Sequence, residues 1–296
     1  MARLLFVHAH PDDETLATGV AIAHYVSRGH DVHVLTCTLG DEGEVIPETL
    51  AHLRADPDAL ADFRRRELAD AMARLGARHT VLGPDEHGHA RWRDSGMAGA
   101  PSADHPRAFA AADPREPGAL IAHVLHELRP DVLVTYDVGG GYGHPDHIQT
   151  RRAVLAALAQ LPGDQWPGRL FEVVTPLSWA REDRAWLAGV VVAPGVHVPT
   201  LDEPYAVSVV PDDELDALAT HVVVDEQARD RQAHALAAHR TQVVVHDGYY
   251  ELSNRIAHRL PGREAYVRLD PQTGGRLPRE EECWMSGLWH ERWPEG

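Results

Sequence analysis

The chain has 296 residues, 44% of them hydrophobic, and a formal charge of −17 at neutral pH. It is long enough to bury one large core, or one core with a smaller appended portion. Its acidity excludes the clustered positive charge that nucleic acids and anionic membrane surfaces require. Every one of the 28 basic residues is arginine. The absence of lysine removes Schiff-base and Ser–Lys chemistry. Two cysteines, Cys37 and Cys283, are too few for a disulfide framework or a Cys-rich zinc site.

From the N-terminus, Leu4–Val7 reads as a buried strand. Pro11 to Arg28 reads as a helix with Leu16, Val20 and Ala23 on one face. Pro11 suits the first helical position, and Asp12, Asp13 and Glu14 suit the first turn, where the helix dipole favours anions. Val32–Cys37 is a second strand and Phe63–Leu75 a helix. Thr80–Leu82 is a strand, Leu120–Leu128 a helix, Val132–Thr135 a strand, Thr150–Leu161 a helix and Leu170–Val174 a strand. Helices alternating with strands imply right-handed crossovers and an α/β, Rossmann-like, mainly parallel doubly wound sheet.

Residues 39–58 and 84–116 are rich in Gly, Pro, Asp and His and read as functional loops. Beyond residue 176 the rhythm loosens. Val190–Val192, Val222–Val224 and Thr241–Val245 read as strands and Glu226–His239 as a helix. The expected organisation is a catalytic, metal-binding unit over 1–175 and a smaller α+β portion over 176–296 that completes the substrate pocket. No apolar run approaches the ~20 residues that cross a bilayer. No basic region followed by an apolar stretch and a cleavage site opens the chain, so a cytoplasmic protein is expected.

Two clusters carry the chemistry. His8-Ala9-His10-Pro11-Asp12-Asp13-Glu14 follows the first strand, and His144-Pro145-Asp146-His147 lies a short Gly-rich loop beyond the strand Val132–Thr135. Strand exits are where open α/β sheets place their sites. His10 and Asp13, three apart across a strand-to-helix turn, can face one point, and His147 from a second loop completes a His₂Asp set. Three protein ligands and one open position suit a hydrolytic zinc, although ferrous iron takes the same set. Asp12 is then placed to accept a proton from water. His144 can stabilise an oxyanion or donate to a leaving amine, and Asp146 can orient a histidine of its own loop. Acids after a strand also serve as ordinary helix starts, and Glu14 is assigned only that role.

Ala9-His10-Pro11-Asp12-Asp13-Glu14 together with Gly143-His144-Pro145-Asp146-His147 resembles the LmbE/PIG-L family of zinc-dependent N-acetylglucosaminyl deacetylases. The resemblance implies zinc on His10, Asp13 and His147, Asp12 as general base and His144 assisting, above the strand ends of a Rossmann-like fold. Further similarity is to the branch that deacetylates N-acetylglucosaminyl-inositol in mycothiol biosynthesis. It is carried by Thr36–Gly40, Gly43–Val45, Arg91–Met97, Gly140–Gly143, Asp225–Arg229 and Thr241–Val245. From it, Tyr142 is expected to stabilise the oxyanion, and Arg64 and Asp94 to contact the hydroxyls of the inositol-bearing sugar. Glu44 and Gln242 are further substrate-contact candidates. A mycothiol S-conjugate amidase and a tailoring sugar deacetylase of an antibiotic pathway are the alternatives. The amidase branch carries a lysine shortly after the first motif, where this chain has Thr15-Leu16-Ala17.

Overall fold

The computed structural model describes residues 1–279 and 284–289; Cys283 lies outside them. Five strands form the parallel half of a mixed sheet: β1 (Arg3–His8), β2 (Asp31–Thr36), β3 (Arg78–Val81), β4 (Val132–Tyr136) and β5 (Arg169–Pro176). Their spatial order is β3-β2-β1-β4-β5. They are joined by the helices α1 (Asp13–Ser27), α2 (Pro57–Leu75), α3 (Arg115–Leu128) and α4 (Pro145–Ala159). Along β1, Leu4 and Phe6 pack with α1 and α2 on one face, while Leu5 and Val7 pack with α3 and α4 on the other. A strand apolar on both faces is what a helix-covered parallel sheet requires.

The chain then forms α5 (Leu177–Leu187), the short β6 (Val209–Val210), β7 (Thr220–Val224) and α6 (Glu226–Leu236). A three-stranded antiparallel sheet comes next, made of β8 (Val244–Val245), β9 (Tyr249–Glu251) and β10 (Ala257–Arg259). β11 (Arg263–Leu269) returns to the main sheet antiparallel to both β5 and β7, and β12 (Met285–Ser286) pairs with β7. The later segment therefore extends the same sheet. No helix among the described residues is long and apolar enough to cross a membrane.

Several boundaries differ from the sequence expectations. The first helix begins at Asp13, so Pro11 and Asp12 form a turn ahead of it instead of its first residues. α2 starts at Pro57 because the Asp56 carboxylate accepts from Ala59 N at 3.0 Å and caps it. α4 starts at Pro145 with His144 as its cap, which places Asp146 and His147 on a helix and not in a loop. Val190–Val192 is irregular: Val190 and Val192 pack near Leu187 while Val191 is 98% exposed, and no neighbouring strand pairs with them. Thr241–Gln242 is a turn, and pairing begins only at Val244.

Candidate active site

The strand order reverses between β1 and β4, since β2 lies beyond one and β5 beyond the other. The carboxyl ends of such a pair frame a crevice that no crossing connection fills. Into it run the His8–Asp13 turn from β1 and the Asp137–His144 loop from β4. Gly140 sits at φ +62°, and a Cβ there would press on His147 Cβ and on the backbone of Ile148. Only glycine lets this loop cross the start of α4 so closely. Tyr136, the last residue of β4, stacks on His147 with centroids 4.3 Å apart and takes Ala9 N–H on its hydroxyl at 3.0 Å.

Hydrogen-bond geometry assigns the protons on the two central histidines. His147 Nδ1 lies 3.1 Å from the carbonyl of Gly140, which can only accept, so Nδ1 carries the proton. His147 Nε2 then keeps its lone pair, is buried without a hydrogen-bond partner, and lies 3.2 Å from Asp13 Oδ2. His10 Nε2 faces two acceptors, Asp146 Oδ2 at 3.2 Å and Asp94 Oδ1 at 3.4 Å, while its Nδ1 lies 3.1 Å from the same Asp13 Oδ2. Two imidazole nitrogens and one carboxylate oxygen thus converge, all of them electron-pair donors. Burial works against charge on His10, yet Asp94, Asp13 and Asp146 hold its pKa well above the usual value, so without a cation Nδ1 also carries a proton, which a bound cation would displace to use that lone pair. Burial likewise opposes the Asp13 carboxylate, and His147 and His10 pull it well below the usual range. A divalent cation fits this donor set, because it satisfies the orphaned His147 Nε2 that no proton donor among the described residues reaches. His144, whose ring lies 4.8 Å from that of His147 and 4.7 Å from that of His10, offers a third nitrogen to the same space.

Asp12 stands beside this centre in a strained backbone, at φ 111° and ψ −37°. No L-residue with a Cβ adopts that conformation without cost, and such outliers concentrate at functional sites. Its carboxylate Oδ2 meets Arg64 Nη2 at 3.2 Å. Burial raises Asp12 to about 7, against the pull of Arg64 and with a push from Asp13. His144 Nδ1 accepts from Asp146 N at 3.2 Å, so its proton is on Nε2. Burial, with His10 and His147 nearby, lowers His144 to about 4.

The remaining expected residues divide. Asp146 is fully buried and turns to His10, not to a histidine of its own segment as expected; Ser95 N holds the same oxygen at 2.9 Å. The reason is the helix: the first turn of α4 aims Asp146 across the crevice. Asp94 is buried beside His10 and is braced by Gly96 N at 2.8 Å. Tyr142 is 55% exposed at the rim, its ring 5.1 Å from that of His147. Arg64 is buried on α2 and grips the carbonyls of Gly40 and Pro11 at 2.7 and 2.6 Å. The Glu44 side chain is exposed, and Gln242 ties its carbonyl at 2.7 Å. Trp92 is buried edge-on to Phe109 and belongs to the core. Cys37 is buried with its thiol pushed up to about 12, which leaves it inert.

One pair escaped the sequence reading. Glu14 and His239 are both fully buried, with His239 Nε2 3.0 Å from Glu14 Oε1. They lie 225 positions apart, so no local pattern could join them.

Residues 5–158 match the family model described as PIG-L, GlcNAc-PI de-N-acetylase. A protein of Thermomonospora curvata, named 1D-myo-inositol 2-acetamido-2-deoxy-alpha-D-glucopyranoside deacetylase, is 44% identical over 97% of this chain and 95% of its own. The chain belongs to the PIG-L family. A protein of the same name from Mycolicibacterium smegmatis is 45% identical, again over 97% of this chain and 95% of its own. Among solved structures, a deacetylase triple mutant of the teicoplanin pathway has a similar fold. Its TM-score is 0.52 at 20% identity, over 90% of this chain and 99% of that one. Both histidine clusters of this PIG-L protein fall inside the matched residues, whereas His239 and Gln242 fall outside them.

Proposed function

We infer that the protein is a zinc-dependent amide hydrolase that removes the acetyl group from N-acetylglucosaminyl-inositol, giving glucosaminyl-inositol and acetate, as a step of mycothiol biosynthesis in the cytoplasm. The observation that carries this reading is that His10 Nδ1 and His147 Nε2 both approach one buried oxygen, Asp13 Oδ2, at 3.1 and 3.2 Å, beside the strained Asp12. Relatives of near-equal length, 44–45% identical and named for that deacetylation, supply the substrate class.

In this reading His10, Asp13 and His147 hold zinc or ferrous iron, and the bound cation supplies an acidified water and a Lewis acid for the acetyl carbonyl. Asp12 takes the proton of the attacking water, which its raised pKa equips it to do near neutrality. His144 presents Nε2–H as a neutral imidazole and donates to the oxyanion or the departing amine. Tyr142, at the rim with its ring 5.1 Å from that of His147, is the hydroxyl assigned to the oxyanion. Asp146 fixes the tautomer of His10 through Nε2. Asp94, Glu44 and Gln242 are assigned to the sugar hydroxyls, and Arg64, buried and holding the Pro11 and Gly40 carbonyls, acts on them through that backbone and not by direct contact. The segment after residue 175, which extends the main sheet, is assigned to completing this pocket. The partner is a small amino-sugar inositol, with no nucleic acid or membrane.

Turnover of N-acetylglucosaminyl-inositol and of a mycothiol S-conjugate by the zinc-loaded protein, measured side by side, tests the assignment. Acetate release from the former at the higher kcat/KM is expected. Preference for the conjugate would transfer the protein to the amidase branch.

A further inference from the structure

We propose that the buried Glu14–His239 pair is a positioning device that holds the strained backbone of Asp12, so that the turn His239–Gln242 sets the geometry of the general base. The inference rests on the reading of Asp12 as that base. Its structural foundation is a chain of contacts. Asp12 N donates to Glu14 Oε2 at 3.1 Å, across only two residues, which pins the amide of the φ 111° residue. The other oxygen of Glu14 receives Thr15 Oγ1 at 2.5 Å and His239 Nε2 at 3.0 Å. Both oxygens of the carboxylate are therefore committed, and both residues are fully buried.

A carboxylate sealed from water needs its partner. Without His239 it would turn or neutralise, releasing the Asp12 amide. His239 is itself held in place by the neighbouring residues of its turn. Thr241 N and Oγ1 donate to Glu67 of α2 at 2.9 and 2.6 Å, Ile46 N donates to Thr241 O at 2.9 Å, and Gln242 ties Glu44 O. One turn from the later part of the chain thus braces three things. They are the base-bearing turn through Glu14, the helix that carries Arg64, and the loop bearing Glu44. Arg64 grips Asp12 from the opposite side, at its carboxylate and at the Pro11 carbonyl. Backbone strain persists only where surrounding contacts over-determine it, and Asp12 has a clamp on each side.

The test uses His239→Leu and His239→Gln in the full chain, loaded with zinc. His239→Leu removes the donor, whereas glutamine keeps an N–H that can reach Glu14. The expected result for His239→Leu is a kcat reduced at least tenfold with KM and zinc content unchanged, and recovery of most of that loss in His239→Gln. A purely structural role would lower kcat only in step with folded fraction or zinc. Residue-resolved hydrogen exchange supplies a readout free of activity. The Asp12 amide should exchange at least tenfold faster in His239→Leu while amides of Val132–Tyr136 keep their protection. Should that variant not fold, Glu14→Gln serves, because its amide nitrogen replaces one of the two oxygens that accept from Asp12 N and His239 Nε2 and cannot itself accept. A soluble variant with wild-type kcat and wild-type exchange at Asp12 overturns the proposal. Wild-type protein that releases no acetate from either substrate would instead overturn the functional reading, and the exchange comparison would still decide the clamp.

Discussion

Asp12→Asn isolates the proton-accepting step more cleanly than any other substitution in the site. Asparagine keeps the shape of the side chain and retains an oxygen for Arg64 Nη2, which lies 3.2 Å from Asp12 Oδ2. It is also among the residues that best tolerate a positive φ, which matters at φ 111°. The three atoms that converge on the cation position are untouched, so zinc content should stay at one per chain. What is lost is a carboxylate able to take a proton. General-base assistance is worth about 10²–10⁴-fold, or about 3–5 kcal/mol of barrier at 1.36 kcal/mol per decade. Acetate release by stopped assay, with zinc measured on the same sample, should therefore show kcat down at least 100-fold at full metal occupancy. The wild-type pH profile carries the same signature. Burial sets Asp12 near 7, and a cation beside it would lower that value. The base must be ionised, so turnover should rise tenfold per pH unit on an acid limb centred at or below pH 7. Asp12→Asn with more than a tenth of wild-type kcat, or with an unchanged acid limb, would refute the role.

Asp146→Asn should weaken zinc binding about 10–100-fold in competition with a chelator, because it loosens the partner that fixes the His10 tautomer; unchanged affinity would show that Asp94 alone suffices. Gly40→Ala should cost about 1–3 kcal/mol in a denaturant melt, since Gly40 sits at φ +62° and the added Cβ would overlap the Arg64 guanidinium. Glu264 accepts from Val20 N, Ala21 N and the Tyr266 hydroxyl in a dry setting, and burial raises it from 4.5 to about 7. Its stability contribution is fully present below pH 4.5 and declines as pH rises towards 7. With 1.36 kcal/mol per unit over that interval, the loss is about 3 kcal/mol. Glu264→Gln should remove this slope, and parallel wild-type and variant stability curves between pH 4.5 and 7.5 would exclude it.

The centre of the parallel half was legible because β1 and β4 are buried on both faces and the crossover helices carry periodic apolar stripes, whereas β3, Arg78–Val81, has no buried residue. Leu4–Val7 and Val132–Thr135 sit as expected, one on each side of the point where strand order reverses. The local motifs were legible for the same reason: His10, Pro11, Asp12 and Asp13 come directly after a strand. Legibility failed where the partner is distant. Asp146 was expected to serve a neighbouring histidine, yet its oxygen lies against His10, 136 positions away. Glu14 looked like a helix-start acid because nothing nearby in sequence announces His239. Val190–Val192 is a run of β-branched residues that pairs with no strand among the described residues, and β propensity alone does not make a sheet.

The two adjacent acids show how one dipeptide yields two chemistries. Asp13 is the first residue of α1, and its Oδ2 is drawn between two imidazole nitrogens and the amide of His10. Against its burial, those neighbours stabilise the ionised form and make Asp13 a permanent anion suited to a cation. Asp12 precedes the helix, and its positive φ swings the side chain away from that cluster towards Arg64. There burial outweighs a single guanidinium, and the carboxyl is poised near neutrality. Had Asp12 taken ordinary helical angles, both carboxylates would have pointed from the same helix start. In the proposed mechanism the backbone strain is therefore what separates a ligand from a base, as pairs of carboxyls elsewhere are separated by their surroundings. On that proposal the clamp, with Glu14 on the amide and Arg64 on the carboxylate, is as much a requirement of the chemistry as the acids themselves.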